Sequence, residues 1–369
     1  MSKVSVVIPL YNYEHYVGGC IESALGQTHP DIEVVVVNDG SKDNGAEVAR
    51  RYPVRVIDQE NQGVASAVNR AVAESTGDYV AWLSADDLFL PDKIKRQMAL
   101  FDKDPTLDCV FSNLRWRAVA SEALEYCPLP REEAERRLRE DGQVDWDTDF
   151  KPCPSEQILG KLLTTTILIY LGTTLIPRRI FDRLGDMDAA YRRSHDYEFA
   201  MRLAADGCKF RMLVEPLVVC RAHAGNAPAW KEIRDDENRV RRKFLAKCTL
   251  EQFYPGSAED PKTLAEHVRW LLHHRMLEEA REAYDAHVRD RAPGAWSLEL
   301  GKALMGAGES ARALVEFDKA VAFEPASMMA HYLRGDACRA EGRLGAAVGS
   351  YLKGVRRAVA NSRSAKPNQ

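Results

Sequence analysis

This chain has no closely spaced pair of cysteines. None of its eight cysteines stands in a C-x-x-C arrangement, which excludes the common zinc-binding and redox motifs and gives no sign of a disulfide framework. Met1 also leads almost directly into an apolar, strand-like run, which leaves no room for a signal peptide. Together these absences predict a protein of the reducing cytoplasm.

A strong charge of either sign is also missing, and so is a long apolar run. The formal net charge is −4 for 369 residues, which gives no reason to predict a nucleic-acid partner. The most apolar long segment, residues 162–177, is interrupted by Thr164-Thr165-Thr166 and Gly172 and falls short of the roughly 20 residues that a spanning helix needs. We therefore predict no transmembrane segment.

The N-terminal part of the chain alternates short apolar runs with segments of helical periodicity. The runs that read as buried strands are Val4–Pro9, Ile32–Val37, Val54–Ile57 and Tyr79–Leu83. Helical segments with short connections separate them, as in right-handed βαβ units. The sequence therefore predicts an α/β fold of Rossmann-like type with a mostly parallel sheet.

Polar residues stand directly after some of these strands, as Pro9-Leu10-Tyr11-Asn12, Asp39-Gly40-Ser41 and Asp86-Asp87. Because parallel strands point the same way, their tips share one edge of the sheet, where such folds bind ligands. Two adjacent carboxylates are costly to bury without a cation, and Mg²⁺ or Mn²⁺ bridging to a diphosphate would neutralise them. The alternative is that these acids cap the helix that begins near Pro91.

Taken in order, the motifs at the strand tips resemble a known family. They are similar in kind and spacing to those of family 2 glycosyltransferases of the GT-A fold. The residues concerned are Val6-Val7-Ile8-Pro9-Leu10-Tyr11-Asn12, Val37-Asn38-Asp39-Gly40-Ser41-Lys42-Asp43, Glu60-Asn61-Gln62-Gly63 and Ser84-Ala85-Asp86-Asp87. The resemblance covers about residues 1–225. It implies a nucleotide-sugar-binding GT-A domain at residues 1–230, with a UDP- or dTDP-sugar as the usual donor.

The resemblance also implies roles for residues at the donor site. Pro9, Tyr11 and Asp39 take nucleoside-binding positions, with Tyr11 as a wall for the base and Asp39 as an acceptor for a base N–H. Ordinary packing under a loop is the alternative for Tyr11, and an Asx-turn before Gly40 is the alternative for Asp39. Further donor contacts are expected from Asn12, Asn69 and Asp86.

A metal contact is assigned to Asp87 in the same way. The expected ion is Mn²⁺ or Mg²⁺, with Asp86 on the ribose or on the metal. His223 lies in a segment, Arg221-Ala222-His223, that looks like the family's downstream Arg-x-His and is a further candidate ligand.

The proton of the attacking acceptor group requires a base, and the best candidate is Asp196. It stands at the start of a helix with an apolar stripe formed by Phe199 and Leu203, and a helix N-terminus favours an ionised carboxylate. The stretch resembles the family's acid-Asp helix, with His195 in place of the first acid. His195 is the alternative base, because an unperturbed imidazole titrates near neutral pH. The resemblance implies an inverting reaction.

Three departures from the family pattern favour a different function. Ser84 stands where many relatives carry an acid, Val68 where they often carry an arginine, and His195 where they carry an acid. The alternative prediction is therefore a catalytically degenerate GT-A fold that works as a binding or scaffold protein through its C-terminal part.

The C-terminal third is helical in pattern and repeats itself. Gly301 and Gly335, Ala313 and Ala347, and Phe317 and Tyr351 each stand 34 residues apart, the period of tetratricopeptide repeats. We predict a helical linker at residues 231–260, a tetratricopeptide-like all-α domain at 261–360 and a disordered tail at 361–369. The repeats are expected to recognise a protein, peptide or glycan acceptor, or to form a homodimer.

Overall fold

The computed structural model describes residues 2–119, 127–165, 168–223, 230–274, 276–287, 293–306 and 308–364. The chain divides into two compact units, Met1–Pro255 and Gly256–Gln369. Within the described residues, no helix combines the length and the apolar character needed to cross a membrane.

The first unit contains two sheets. Its strands are β1 (Val4–Leu10), β2 (Ile32–Asp39), β3 (Arg55–Gln59), β4 (Tyr79–Trp82), β5 (Leu88–Phe89), β6 (Cys109–Ala118), β7 (Val144–Asp147), β8 (Ile176–Pro177) and β9 (Phe210–Ala222). Its helices are α1 (Val17–Leu25), α2 (Gly45–Ala49), α3 (Val64–Glu74), α4 (Lys93–Lys103), α5 (Arg131–Asp141), α6 (Ile158–Thr164), α7 (Arg178–Leu184), α8 (His195–Ala205), α9 (Trp230–Leu245) and α10 (Leu250–Phe253).

The first sheet has the strand order β3-β2-β1-β4-β8. Strand β1 pairs in parallel with β2 and β4, β2 pairs in parallel with β3, and only the short β8 runs antiparallel, against β4. All of β1 is buried, as expected for a parallel strand whose two faces are both covered. The predicted α/β fold with a mostly parallel sheet is confirmed.

A second sheet, which the sequence analysis did not anticipate, has the order β5-β9-β6-β7. Strands β6 and β9 pair in parallel although about 100 residues separate them along the chain, and β5 and β7 pair antiparallel at the two edges. The last residues of β9 reach the carboxyl end of β4, because Arg221 N donates to Asp87 Oδ1 at 3.0 Å. The second sheet therefore brings a distant part of the chain to the tips of the first.

The charged helix α9 belongs to the first unit. Lys243 Nζ lies 2.6 Å from Oε1 of the fully buried Glu198 on α8, and Arg193 N donates to Asp236 Oδ2 at 3.0 Å. The division between the units lies at 255/256. This is later than residue 230, where the sequence-based first domain ends, and it falls inside the expected linker 231–260. A charge-rich helix looks solvated in sequence, but here Lys243 pairs with Glu198 of α8, and Asp236 accepts from Arg193 just before α8.

The second unit consists of six helices in the described part of the chain. They are α11 (Pro261–His273), α12 (Leu277–His287), α13 (Pro293–Gly306), α14 (Ser310–Phe323), α15 (Met328–Ala340) and α16 (Leu344–Ser364). Helix α13 packs chiefly on α14, and α15 packs chiefly on α16. Helix α16 includes residues 361–364 of the expected disordered tail, and residues 365–369 lie outside the described residues.

The same glycine–aromatic contact occurs twice in the second unit. A Cβ atom on Gly301 would lie 2.4 Å from Phe317, and one on Gly335 would lie 2.5 Å from Tyr351, so only glycine fits at either position. These are the residues that the 34-residue spacing singled out. The assignment to tetratricopeptide repeats stays a prediction.

One lysine of the first unit is completely buried. Lys93 on α4 has no exposed surface, donates from Nζ to Thr174 O at 2.9 Å and lies 4.1 Å from the centroid of Phe89. Gln97, one turn later, donates to Thr173 O at 2.7 Å. Two side chains of α4 therefore hydrogen-bond to the backbone of Thr173 and Thr174, which follow Tyr170. Burial lowers the pKa of Lys93 to about 7.

This burial predicts a pH-dependent stability. Between about pH 7 and the unfolded lysine pKa of about 10.4, the unfolded chain binds a proton that the folded chain does not, so Lys93 makes the free energy of unfolding rise with pH. We expect urea denaturation at pH 7, 8 and 9 to show a smaller rise for Lys93→Met than for the parent, by up to about 1.4 kcal/mol per pH unit. The exposed Lys95→Met on the same helix is the control. Equal slopes for Lys93→Met and parent would contradict the prediction.

Candidate functional site

The tips of β1 and β2 are joined by direct hydrogen bonds. Asn12 has a positive φ of 58°, a conformation that asparagine tolerates better than most residues. Its Oδ1 accepts from Lys42 N at 2.8 Å, and its backbone N donates to Ser41 Oγ at 3.1 Å. Asn12 therefore holds the two loops together at the edge where the parallel strands end.

Pro9 and Tyr11 differ in their surroundings. Pro9 is buried within β1, where it pairs with Val37 of β2. Tyr11 lies just past the strand with 41% of its surface exposed, so its ring does not pack under a loop. Of the two, Tyr11 is the residue that offers a flat surface to a ligand.

Asp39 closes the tip of β2 against the start of α3. Its Oδ1 accepts from Gln62 N and its Oδ2 accepts from Gly63 N, both at 2.8 Å, and Gln59 Nε2 also donates to Oδ1 at 2.8 Å. The carboxylate is 3% exposed. These hydrogen bonds give Asp39 a structural role. The Asx-turn alternative predicted a role of this kind, but the donors come from the loop before α3 and not from the turn at Gly40.

Asp86 faces His223. Asp86 Oδ2 lies 3.4 Å from His223 Nε2, and each residue is 7% exposed. The imidazole stacks on the ring of Tyr16 with centroids 4.4 Å apart and an interplanar angle of 19°. Tyr13 contacts His223 edge-on at 5.8 Å, and the pKa of Tyr13 is raised by burial and by the neighbouring Asp86. His223 is therefore held in place by aromatic rings on two sides.

Asp87 accepts hydrogen bonds from two distant parts of the chain. Its Oδ2 accepts from Tyr170 OH at 2.8 Å, and its Oδ1 accepts from Arg221 N at 3.0 Å. Burial and the adjacent Asp86 raise the pKa of Asp87 to about 8. Ionising both of these adjacent buried carboxyl groups is therefore costly, and a nearby cation would lower that cost. Ser84 Oγ lies 3.1 Å from Tyr170 OH and completes this cluster.

Four residues of this cluster escaped the sequence analysis: Tyr13, Tyr16, Tyr170 and Arg221. Arg221 lies over the ring of Tyr16 at 4.9 Å, donates from Nη2 to Tyr16 O at 3.1 Å, and donates from Nε to Asp86 O. The repeated tyrosines after Asn12 and the Arg-x-His segment were visible signals for three of them. Tyr170 had none, because it lies 83 residues from Asp87 in the chain.

The side-chain amide of Asn69 is hydrogen-bonded to the backbone of Met187. Its Nδ2 donates to Met187 O and its Oδ1 accepts from Met187 N, both at 2.9 Å. The side chain thereby ties α3 to the segment before α8. Both ends of its amide are used within the protein, and the donor contact expected from Asn69 stays a prediction.

Asp196 occupies the first turn of α8 and is partly exposed. His195, beside it, is 7% exposed and lies against Trp82 at the end of β4, with centroids 5.5 Å apart. Both ring nitrogens of His195 are buried and have no hydrogen-bond partner within the described part of the chain. The helix start is therefore packed beside the acid-tipped strand, with Asp196 as the more accessible of the two candidate bases.

A metal would find two protein ligands here. Among the described residues there is no group of three or more His, Cys, Asp or Glu side chains placed to hold an ion. Asp86 and His223 supply one carboxylate and one imidazole, a mixed set that suits Mn²⁺ better than the oxygen-only Mg²⁺. Such a site would need oxygen ligands from a bound diphosphate to be complete.

Comparisons with known proteins agree with this architecture. The model of Glycosyl transferase family 2 matches residues 5–144. An uncharacterized glycosyltransferase of Rickettsia prowazekii (strain Madrid E) is 33% identical over 259 residues, which cover 68% of this chain and 73% of that protein. The chondroitin synthase of Pasteurella multocida (strain Pm70) is 42% identical over 117 residues, 30% of this chain but only 12% of the synthase.

Among solved structures, the crystal structure of S. aureus TarS is similar to this chain, with a TM-score of 0.53 and 17% sequence identity. The match covers 95% of this chain and 54% of the TarS chain, and it shows a likeness of fold. The GT-A type of fold is thereby confirmed. Because the relative from Rickettsia prowazekii is 33% identical and is covered over 73% of its length, this chain belongs to glycosyl transferase family 2 and is a glycosyltransferase.

Proposed function

We propose that this glycosyltransferase uses a nucleotide diphosphate sugar, a UDP- or dTDP-sugar, with a divalent cation. The observation that carries the proposal is the buried pair of Asp86 and His223, 3.4 Å apart at the tip of β4. S. aureus TarS has been solved in complex with UDP and with UDP-GlcNAc, and its fold is similar to that of this chain, which supports a UDP-sugar.

Asp86 and His223 are the proposed ligands of the cation, with Mn²⁺ as the ion. The sequence-based assignment placed the metal on Asp87, with Asp86 on the ribose or on the metal. We propose Asp86 as the ligand because its Oδ2 lies 3.4 Å from His223 Nε2, so that a carboxylate and an imidazole face each other. When bound, the cation would stabilise the negative charge that develops on the leaving diphosphate. Tyr16 holds the imidazole of His223 in the orientation that faces Asp86.

The nucleoside is proposed to bind between the tips of β1 and β2. The exposed ring of Tyr11 offers an apolar wall for the base. Asp39 is fixed by backbone donors on both oxygens, and a carboxylate oxygen has more than one acceptor site, so it can also accept from a base N–H. Asn12 and Pro9 shape this edge through the turn after β1.

Asp196 is the proposed base. It would take the proton of the acceptor group as that group attacks the anomeric carbon, while the bond between the sugar and the diphosphate breaks. One such displacement inverts the anomeric configuration. His195 is the weaker alternative, because its ring nitrogens are buried from an acceptor.

The acceptor is proposed to be a protein, a peptide or a glycan, with residues 115–175 contributing to its site and the helical repeats contributing recognition or dimerisation. The repeats offer helical surface, and among their described residues there is no group of three or more His, Cys, Asp or Glu side chains placed to hold a metal ion. A cytoplasmic location stays the prediction from sequence.

Donor turnover without acceptor is the direct test. We expect slow release of nucleoside diphosphate from one member of a panel of UDP- and dTDP-sugars in the presence of Mn²⁺, and loss of that release in EDTA. A thermal-shift screen over the same panel identifies the donor independently of turnover. Release that is equal with Mn²⁺ and with EDTA would contradict the metal role, and no shift with any member would contradict the donor class.

A further inference from the structure

Helix α9 lies against the segment that leads into α8, the helix that carries the proposed base. Arg193 N donates to Asp236 Oδ2 at 3.0 Å. Ser194 Oγ donates to Ile233 O at 3.5 Å. Ser194 is the N-cap residue of α8, and Asp196 follows two residues later. A side chain and a backbone carbonyl of α9 therefore hold the chain within three residues of the proposed base.

The same helix also holds the earlier part of this connecting segment. Arg239 Nη1 donates to Ala190 O at 3.3 Å, and its guanidinium carbon lies 4.9 Å from the centroid of the Tyr191 ring. Lys243 Nζ lies 5.2 Å from the same centroid and 3.6 Å from Asp188 Oδ2. The ring of Tyr191 is buried at this contact. The connecting segment therefore meets α9 along most of its length.

A buried ion cluster joins α9 to α8 itself. Glu198, in the first turn of α8, has no exposed surface. Its Oε1 lies 2.6 Å from Lys243 Nζ, and its Oε2 lies 2.9 Å from Arg202 Nε. Arg202 in turn donates to Leu184 O at 2.8 Å and to Asp186 O at 2.7 Å. Because a buried charge is costly once a partner is removed, the cluster holds the first turn of α8 on α9.

The position of Asp196 depends on where the start of α8 lies. Its Oδ1 accepts from Tyr197 N at 2.8 Å, a contact within the same helix. The connecting segment is tied to α3 at Met187, through Asn69, and to α9 at its other end. A base must lie within hydrogen-bonding reach of the proton that it takes, and a displacement of about 1 Å can lower a rate by up to about 10²-fold. Contacts that fix the start of α8 therefore matter for catalysis.

We propose that Asp236 and Lys243 of α9 are positioning residues for Asp196. Asp236 fixes the backbone just before α8, Lys243 fixes its first turn, and together they place the carboxylate of Asp196 at the attacking group. Both act through Asp196 and need no contact of their own with the substrate. The inference rests on the proposed function, because it takes Asp196 as the base. It gives a role in the reaction to a helix that the sequence analysis assigned to a linker.

The test uses the full-length protein and the donor that the thermal-shift screen identifies, with water in place of the acceptor. The base takes a proton of the water as its oxygen attacks the anomeric carbon, and nucleoside diphosphate leaves. Asp236→Ala removes the acceptor of Arg193 N and should lower kcat on the order of tenfold, with the KM for the donor within about twofold of the parent value. Asp236→Asn keeps an acceptor oxygen and should recover most of the turnover. Asp235→Ala, which removes an exposed acid one position earlier, is the matched control.

Lys243 is tested by a second pair of variants. Lys243→Met leaves Glu198 with Arg202 as its remaining cation and should lower kcat on the order of tenfold, again without raising the KM for the donor. Lys243→Arg restores a cation and should recover most of the turnover. Because Lys243→Met also lowers the melting temperature, turnover is measured well below it, and calorimetry with the donor reports the fraction of folded protein.

A double-mutant cycle separates positioning from a general structural effect. Asp236→Ala added to Asp196→Asn should lower turnover by less than about threefold further, because the base that it positions is already gone. A further loss as large as in the parent background, or a parental kcat for Asp236→Ala alone, would overturn the inference and leave the proposed base in place. Parental turnover of Asp196→Asn would instead show that the proposed base is wrong, and the inference would fall with it.

Discussion

The Asp86→Asn variant is expected to lose Mn²⁺-dependent binding of nucleoside diphosphate and to transfer sugar on the order of 10²–10³-fold more slowly, since a bound cation contributes several kcal/mol of charge stabilisation. The reason is the position of Asp86, with Oδ2 3.4 Å from His223 Nε2 in a buried setting. Calorimetry with and without Mn²⁺ measures the binding, and a coupled assay of diphosphate release measures the turnover.

His223→Ala should reproduce much of the loss in Mn²⁺-dependent affinity, because it removes the other proposed ligand. Tyr16→Phe keeps the ring that stacks on His223 and should stay close to the parent, whereas Tyr16→Leu removes the stack and should weaken Mn²⁺ binding. The measured quantity is the affinity for Mn²⁺ in the presence of nucleoside diphosphate, which does not require turnover.

Asp87→Asn provides the contrast within the same motif. Asp87 accepts from Tyr170 OH and Arg221 N, so its replacement should lower the melting temperature more than the affinity for Mn²⁺. The two variants differ by one position and make the same chemical change, from a carboxyl group to an amide. If Asp87→Asn abolishes Mn²⁺-dependent binding and Asp86→Asn retains it, the sequence-based assignment of the metal to Asp87 is the right one.

The Asp196→Asn variant is expected to keep donor affinity and to lower turnover by roughly 10²–10⁴-fold, the range for a lost general base. Asp196 lies in the first turn of α8, where the helix dipole favours its ionised form, and it is partly exposed. Single-turnover transfer with saturating donor isolates the chemical step, and calorimetry with the donor shows that binding is intact.

Two further variants interpret that result. Asp206→Asn removes an acid from the other end of α8 and should leave turnover close to the parent value, which excludes a general effect of charge on the helix. His195→Ala should affect turnover less than Asp196→Asn does, because the ring nitrogens of His195 are buried against Trp82. The opposite ranking of His195→Ala and Asp196→Asn would move the base to His195.

The strand tips were predictable because local patterns specify them. Continuous apolar runs bounded by turn residues give buried parallel strands, and the carboxyl ends of such strands lie on one edge. Asn12 and Asp39 could therefore be placed at that edge from sequence, and the structure puts them there. Their hydrogen-bond partners could not be predicted, because the sequence offers several possible donors for each carboxylate or amide oxygen and does not say which of them the fold brings close.

Asn69 shows why a motif position does not settle a role. Its place on α3 follows from helical periodicity, but its partner Met187 lies 118 residues away. The direction of an amide side chain depends on which backbone groups the tertiary fold brings beside it, and here both of its ends are used by one residue. No pattern within α3 carries that information.

By itself, the sequence determined the alternation of strand and helix, the parallel sheet, the polar edge and the 34-residue recurrence of glycine and aromatic residues, because each follows from side-chain periodicity along the chain. Only the tertiary structure decided which carboxylate faces His223 and which is held by Tyr170. That choice depends on β9 pairing with β6 from about 100 residues away and so bringing Arg221 and His223 to the end of β4. Contacts over such separations are set by how the two sheets pack, and two adjacent aspartates are equivalent until that packing gives them different neighbours.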